Sequence, residues 1–137
     1  MRVFIDTNVV VDFLGKREPF FNDAAILFEM GKLGRIDVIV SSLTIVNCAY
    51  LLRKQFSNEV MLYKIDNFCQ MLKISPVDKS VILNAISLRP SDFEDAVQYV
   101  STWSFNPDII ITRDKNGFSA FGIPIMTPAE FIAACRE

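Results

Sequence analysis

The chain has 137 residues, enough to bury one core of ordinary size and too few for two, so a single domain over 1–137 is expected. Its 14 Lys and Arg against 16 Asp and Glu give a net charge of −2 and a pI near 5.2, which excludes a broad basic surface that coats nucleic acid and leaves room only for a local basic patch. Histidine is absent, which removes the commonest general base, the triads that depend on it and imidazole metal ligands.

Hydrophobic residues make up 51% of the chain, with twelve Phe and a mean hydropathy of +0.30. Some of that apolar surface is expected to cover an interface, so a homodimer is expected over a monomer. No segment approaches the roughly 18 consecutive apolar residues of a membrane span, and Asp6 and Asp12 interrupt the N-terminus where a signal peptide needs its apolar region. A cytoplasmic protein without membrane association is expected. Cys48, Cys69 and Cys135 show neither a paired-thiol nor a zinc-ligand spacing, and they read as reduced core residues.

In chain order, Val3-Phe4-Ile5 is an apolar run that stops abruptly at Asp6, as a buried parallel strand does at its carboxyl end. Val9 to Leu14 reads as a short helix closed by Gly15, and Asn22-Asp23 starts a second helix that Gly34 ends. Asp37 to Ser42 reads as the second strand. Leu43 to Lys54 is too densely apolar for a one-sided surface helix, which predicts a place in the core or an interface, with Asn47 as its polar exception. Ser57 to Leu72 predicts an amphipathic helix packed on it as a hairpin.

Lys73 to Val77 is a short third strand, and Asp78 caps a helix to about Leu88. Arg89-Pro90 breaks that helix, and Ser91 and Glu94 stand at capping-box spacing for the next, with Phe93, Ala96, Val97, Val100 and Ser104 on its buried side. Asp108 to Asp114 repeats the grammar of the opening, an apolar strand ending in Thr112 and an acid. Ile123 to Met126 is the last strand, and Thr127-Pro128 starts the last helix. Strands alternating with helices give the α/β class, a three-layer α/β/α sandwich with a mainly parallel central sheet.

Three acidic groups fall at equivalent places: Asp6 after the first strand, Asp92 and Asp95 in the first turn of a helix, and Asp114 after the Ile109 strand. Carboxyl ends of parallel strands face one way, so these carboxylates can converge. Unneutralised, they would repel one another, and a divalent cation is the natural counter-charge; hard oxygen donors favour Mg²⁺ or Mn²⁺ over zinc. Each acid also has an ordinary reading. Asp6 is a favoured N-cap, Asp92, Glu94 and Asp95 complement a helix dipole, and Asp114-Lys115-Asn116-Gly117 is a common turn composition.

The combination and order of Phe4-Ile5-Asp6-Thr7-Asn8, Ser42-Leu43-Thr44, Asp92-Phe93-Glu94-Asp95-Ala96 and Ile110-Ile111-Thr112-Arg113-Asp114 resembles the PIN-domain family, the metal-dependent nuclease fold that includes VapC-type toxins. The resemblance implies that Asp6, Asp95 and Asp114 are the catalytic, metal-binding acids, with Asp92 accessory to the metal and Asn8 and Thr112 as polar supports. Family members commonly carry an acid in the helix after the second strand, where this chain offers Asn47, an amide that can position a water but brings no charge. The implied activity is hydrolysis of RNA phosphodiester bonds with Mg²⁺ or Mn²⁺ as cofactor, and the implied partner is a small antitoxin gripped by the helical hairpin from Leu43 to Leu72. Lys16, Arg17, Arg113 and Lys115, with Arg53 and Lys54, are candidates for a rim that guides RNA phosphates.

Asn47 and the acidic pI motivate an alternative, a catalytically silent PIN-like module that binds RNA or protein. An aspartyl phosphatase of the haloacid dehalogenase type would also use an acid after strand one. It expects a second acid two residues on, and position 8 is Asn.

Overall fold

Two short apolar runs make the middle of a parallel sheet. A computed structural model describes residues 1–136. Strand β1 (Arg2–Ile5) lies between β2 (Asp37–Ser41) and β4 (Ile109–Ile111), with β3 (Lys73–Ser75) and β5 (Ile125–Met126) outside them, in the order β3-β2-β1-β4-β5. All four pairings are parallel. The chain builds outward from β1 to β3 and then crosses to the other side to lay down β4. That reversal creates a topological switch point between β1 and β4, the place where an open α/β sheet forms a crevice beyond its carboxyl ends.

Side-chain alternation along the strands divides the core into layers. Val3 and Ile5 of β1, Val38 and Val40 of β2, and Ile109 and Ile111 of β4 face a large cluster with α1 (Thr7–Leu14), α2 (Phe21–Lys32), α3 (Ser42–Leu52), α4 (Asn58–Cys69) and α7 (Pro128–Cys135). Phe4 and Ile110 point the other way, onto Phe118. Phe118 belongs to a 3-10 turn over Lys115–Phe121 and meets Phe4 edge-on at 5.9 Å between ring centres. Helices α5 (Lys79–Ser87) and α6 (Phe93–Ser101) close a smaller cluster around Ala85, Ala96, Val97 and Val100. The architecture is the expected three-layer sandwich, with a sheet that is parallel throughout. Among the described residues no helix is long and apolar enough to cross a membrane.

Several local expectations are corrected. Helix α3 is one-sided: Thr44, Cys48 and Leu52, spaced four apart, are buried, while Val46, Tyr50 and Leu51 stand at 67%, 62% and 50% exposure. Its apolar density therefore marks a face open to solvent in the single chain. In α6 the cap is Asp92, which accepts the Asp95 N–H at 3.0 Å, in place of a Ser91 capping box. Phe93 and Ser104 are exposed, because the shift of the cap turns Phe93 outward and a 3-10 turn at Trp103–Phe105 ends the helical period before residue 104. The three cysteines are free, but only Cys48 is buried; Cys69 is half-buried and Cys135 exposed.

Candidate metal centre

Asp6 is both of the things its sequence position allows. As the N-cap of α1 it accepts the Thr7 N–H on Oδ1 at 2.7 Å. Its own N–H donates to the Ile111 carbonyl at 3.0 Å, continuing the β1–β4 ladder, in which Ile5 pairs with Ile111. That register places Thr112 beside it, and the buried Thr112 hydroxyl donates to Asp6 Oδ2 at 2.8 Å. Capping therefore uses one carboxylate oxygen, and the fold pins the other.

Thr112 is the hub of a small network. Its oxygen accepts the Asp114 N–H at 3.0 Å and the Asn8 amide at 3.3 Å, while Asn8 Oδ1 accepts the Arg113 N–H at 3.3 Å. The first turn of α1 and the segment after β4 are thus laced together on both sides of the switch point. On the other flank, the Thr44 hydroxyl donates to Gln98 Oε1 at 3.1 Å and lies 2.8 Å from the Thr7 hydroxyl. These contacts tie α3 and α6 to α1 beneath the same crevice.

The crevice is a pocket of about 300 Å³ lined by Asp6, Asp92, Glu94, Asp95 and Asp114, with Thr7, Asn8, Arg17 and Gln98 among its other walls. Burial pushes the Asp6 carboxyl up, opposed chiefly by the hydrogen bond from Thr112. Asp95 is pushed up to about 7, first by burial and then by the charges of Asp6, Asp92, Glu94 and Asp114. Such like-charge crowding disfavours ionisation unless a cation enters.

The donor set fits a hard divalent ion, since every anionic group in the pocket is a carboxylate and neither sulfur nor imidazole lines it. The side chains surround the pocket without closing on one point: among the described residues no three acids are gathered at ligating distance. Asp114 is exposed and caps the 3-10 turn by accepting the Asn116 N–H at 3.2 Å, and Asp92 is occupied as the cap of α6.

The other expected residues divide clearly. Asn47 stands in an adjoining groove with Thr7, Tyr50, Leu51 and Glu94, and its amide donates to Glu94 Oε1 at 2.8 Å. The helix position without an acid is thus linked to an acid from α6. Of the six candidate rim cations, Arg17 alone lines the acidic pocket. Arg113 is turned away into a two-pronged pair with buried Asp12, at 2.6 and 3.2 Å, and stacks over Phe20. Lys115 pairs with Glu130 at 2.6 Å, and Lys16 lines an apolar groove. Arg53 lies over the Tyr50 ring.

From the sequence Glu94 has only a capping and helix-dipole role, and Gln98 is passed over. Gln98 lies three residues after Asp95, one helical turn along the same face, and that spacing is the signal that finds it. A larger cavity of about 560 Å³ is lined by Phe20, Asp23, Arg113 and Thr127. Asp23 is the one acid among its lining residues and its arginine is already paired with Asp12, so the smaller acidic pocket is the stronger candidate for the site.

Comparison with known proteins agrees with this fold. The family profile described as PIN domain matches residues 2–116. None of the curated proteins matches the chain by sequence. Among solved structures, the DNA-bound VapBC from Salmonella typhimurium matches with a TM-score of 0.70 at 18% identity, over 93% of this chain and 98% of the other. VapC20 of Mycobacterium tuberculosis, described as a toxin that cleaves the sarcin-ricin loop, matches with a TM-score of 0.69 at 16% identity, over 88% and 95%. A toxin-antitoxin complex from Klebsiella pneumoniae matches with a TM-score of 0.68 at 16% identity, over 92% and 97%. At these identities the likeness is one of fold.

Proposed function

The chain belongs to the PIN-domain family, and from that premise we propose that it is a metal-dependent endoribonuclease hydrolysing RNA phosphodiester bonds, the toxin of a toxin-antitoxin pair. The observation that carries this reading is the shared pocket of Asp6, Asp95 and Asp114, where burial and the crowding of negative charge drive Asp95 up to about 7. Asp6, Asp95 and Asp114 would hold Mg²⁺ or Mn²⁺, with Asp92 as an accessory acid. When bound, such an ion activates a water and stabilises the charge on the attacking and leaving oxygens of a scissile phosphate.

The chain's own groups prepare the site in advance. The Thr112 hydroxyl and the Thr7 N–H fix the orientation of Asp6, so little ordering remains to be done when a substrate arrives. Asn47 restrains the carboxylate of Glu94 at the edge of the pocket. Arg17, on the same rim, is the cation positioned to meet the RNA backbone.

The partners belong to the same reading. An apolar groove of about 290 Å³ between α1, α2 and α4, lined by Phe13, Phe21, Tyr63, Phe68 and Met71, suits an amphipathic antitoxin helix. The VapBC and toxin-antitoxin complexes of like fold support an antitoxin as the partner. Exposed Val46, Tyr50, Leu62 and Tyr63 supply further apolar surface for an antitoxin or a second copy of the chain.

One observation favours a second reading, a silent PIN-like module that binds RNA or protein: the acids around the pocket do not close to ligating distance among the described residues. The two readings part in one experiment. Purified protein with Mn²⁺ is expected to cut single-stranded RNA, and Asp6→Asn or Asp95→Asn to abolish cutting. Cleavage that persists in excess EDTA or survives either substitution overturns the nuclease reading. RNA binding without cleavage, and without calorimetric Mn²⁺ binding, establishes the silent module.

A further inference from the structure

Gly117 sits in the 3-10 turn that follows Asp114, and its backbone packs directly against the side chain of Asp95 from α6. A Cβ added at Gly117 would overlap Asp95 Oδ2 and lie 2.9 Å from its Cγ. No other atoms crowd that position. Gly117 is also not one of the glycines held at positive φ, which are Gly34 and Gly122, so its backbone accommodates any L-residue. The only thing glycine provides here is empty space, and the only group using that space is a carboxylate of the acidic pocket.

We infer that Gly117 is a positioning residue for Asp95: the missing side chain leaves a cradle in which the carboxylate stays aimed at the pocket. The inference rests on the reading of that pocket as a cation site. Its physics is separable from that reading, because the group a methyl would displace is the free end of a flexible side chain. An alanine at 117 would make the Asp95 carboxylate rotate out of its place while the backbone and the aromatic packing of Phe118 stay as they are. Substitution is therefore nearly neutral for the fold and damaging for the site, the reverse of what a conformationally required glycine does.

The experiment uses the full chain as wild type, Gly117→Ala, Asp95→Asn and the double variant. Crystal structures locate Asp95, calorimetry with MnCl₂ measures affinity, and thermal melts in EDTA measure stability. In Gly117→Ala the Asp95 side chain is expected in a different rotamer, with the melting temperature within about 2 °C of wild type and Mn²⁺ affinity lowered about 10- to 100-fold. The double variant is expected to bind no more weakly than Asp95→Asn alone, because Gly117 acts only through Asp95. Unchanged Asp95 placement overturns the inference, as does unchanged affinity or an added loss in the double variant. Absence of Mn²⁺ binding in the wild type would instead overturn the cation-site reading, and the rotamer of Asp95 would still decide whether Gly117 positions it.

Discussion

The crowded carboxylates make a prediction about stability that needs no substrate. Asp95 has an ordinary value of 3.8 and is pushed up to about 7 by burial and four neighbouring acids. Between those values the folded chain retains a proton that the unfolded chain has released. Folding is therefore favoured on this account at low pH, and the advantage is lost as pH rises through about 7. A shift of roughly three pH units corresponds to about 4 kcal/mol for a fully buried group. Asp95 is only half-buried, and solvent screening reduces the figure to about 1 to 2 kcal/mol.

For a domain of this size, that is about 3 to 6 °C in melting temperature. Few other groups compete, because the chain has no histidine to titrate between pH 5 and 8 and burial has pushed the Cys48 thiol up to about 12; Asp6, itself pushed up by burial, acts in the same direction. Thermal melts in EDTA are expected to show the wild type losing about half of those degrees between pH 5.5 and pH 8, the other half being lost between 3.8 and 5.5. Asp95→Asn, which removes the charge and keeps the shape, should melt above the wild type at pH 8 with a flatter profile. A wild-type melting temperature that is level or rising across the window, with no gain from Asp95→Asn, would refute the account of the pocket as uncompensated negative charge.

Three further outcomes are expected. Arg113→Met leaves the carboxylate of Asp12, 1% exposed, buried without its partner, and should cost about 3 kcal/mol in a urea titration; a loss below half of that would mean water reaches Asp12. Thr112→Val removes a donor from Asp6 and an acceptor from the Asn8 amide and the Asp114 N–H, for a loss of about 1 to 3 kcal/mol by the same titration. Asn47→Ala frees Glu94 on an exposed surface, so stability should hold within about 0.5 kcal/mol. Mn²⁺ affinity should fall about tenfold by calorimetry, and an unchanged affinity would show that Glu94 has no part in the site.

Strand ends and helix caps were the legible part of this chain. Val3-Phe4-Ile5 before Asp6 and Ile109-Ile110-Ile111 before Thr112 declare buried strands and their direction, and direction alone brings Asp6 and Asp114 to one side of the sheet. Helix faces were harder to read. The density of α3 predicts a place in the core or an interface; its burial follows a four-residue period, and the rest of the density forms an exposed patch that nothing in the single chain covers. The Asn47 to Glu94 contact spans 47 residues and depends on how α3 and α6 meet, which no local pattern encodes. The rim is hard to read for a related reason: a charge in a sequence carries no mark of its partner, and Asp12 and Glu130 take Arg113 and Lys115 while Arg17 lines the pocket.

The central strand is made first and its second neighbour very late. Asp6 receives its hydrogen bond from Thr112 across 106 positions, and β4 cannot dock until α6 and the turn before it exist. A growing chain therefore carries its first acid for most of its synthesis without the hydroxyl that orients it or the acids that share its pocket. Long-range closure of this kind slows folding. On the proposed function it also means that a partly made chain has no assembled site to turn on the RNA around it until nearly the whole sequence has emerged.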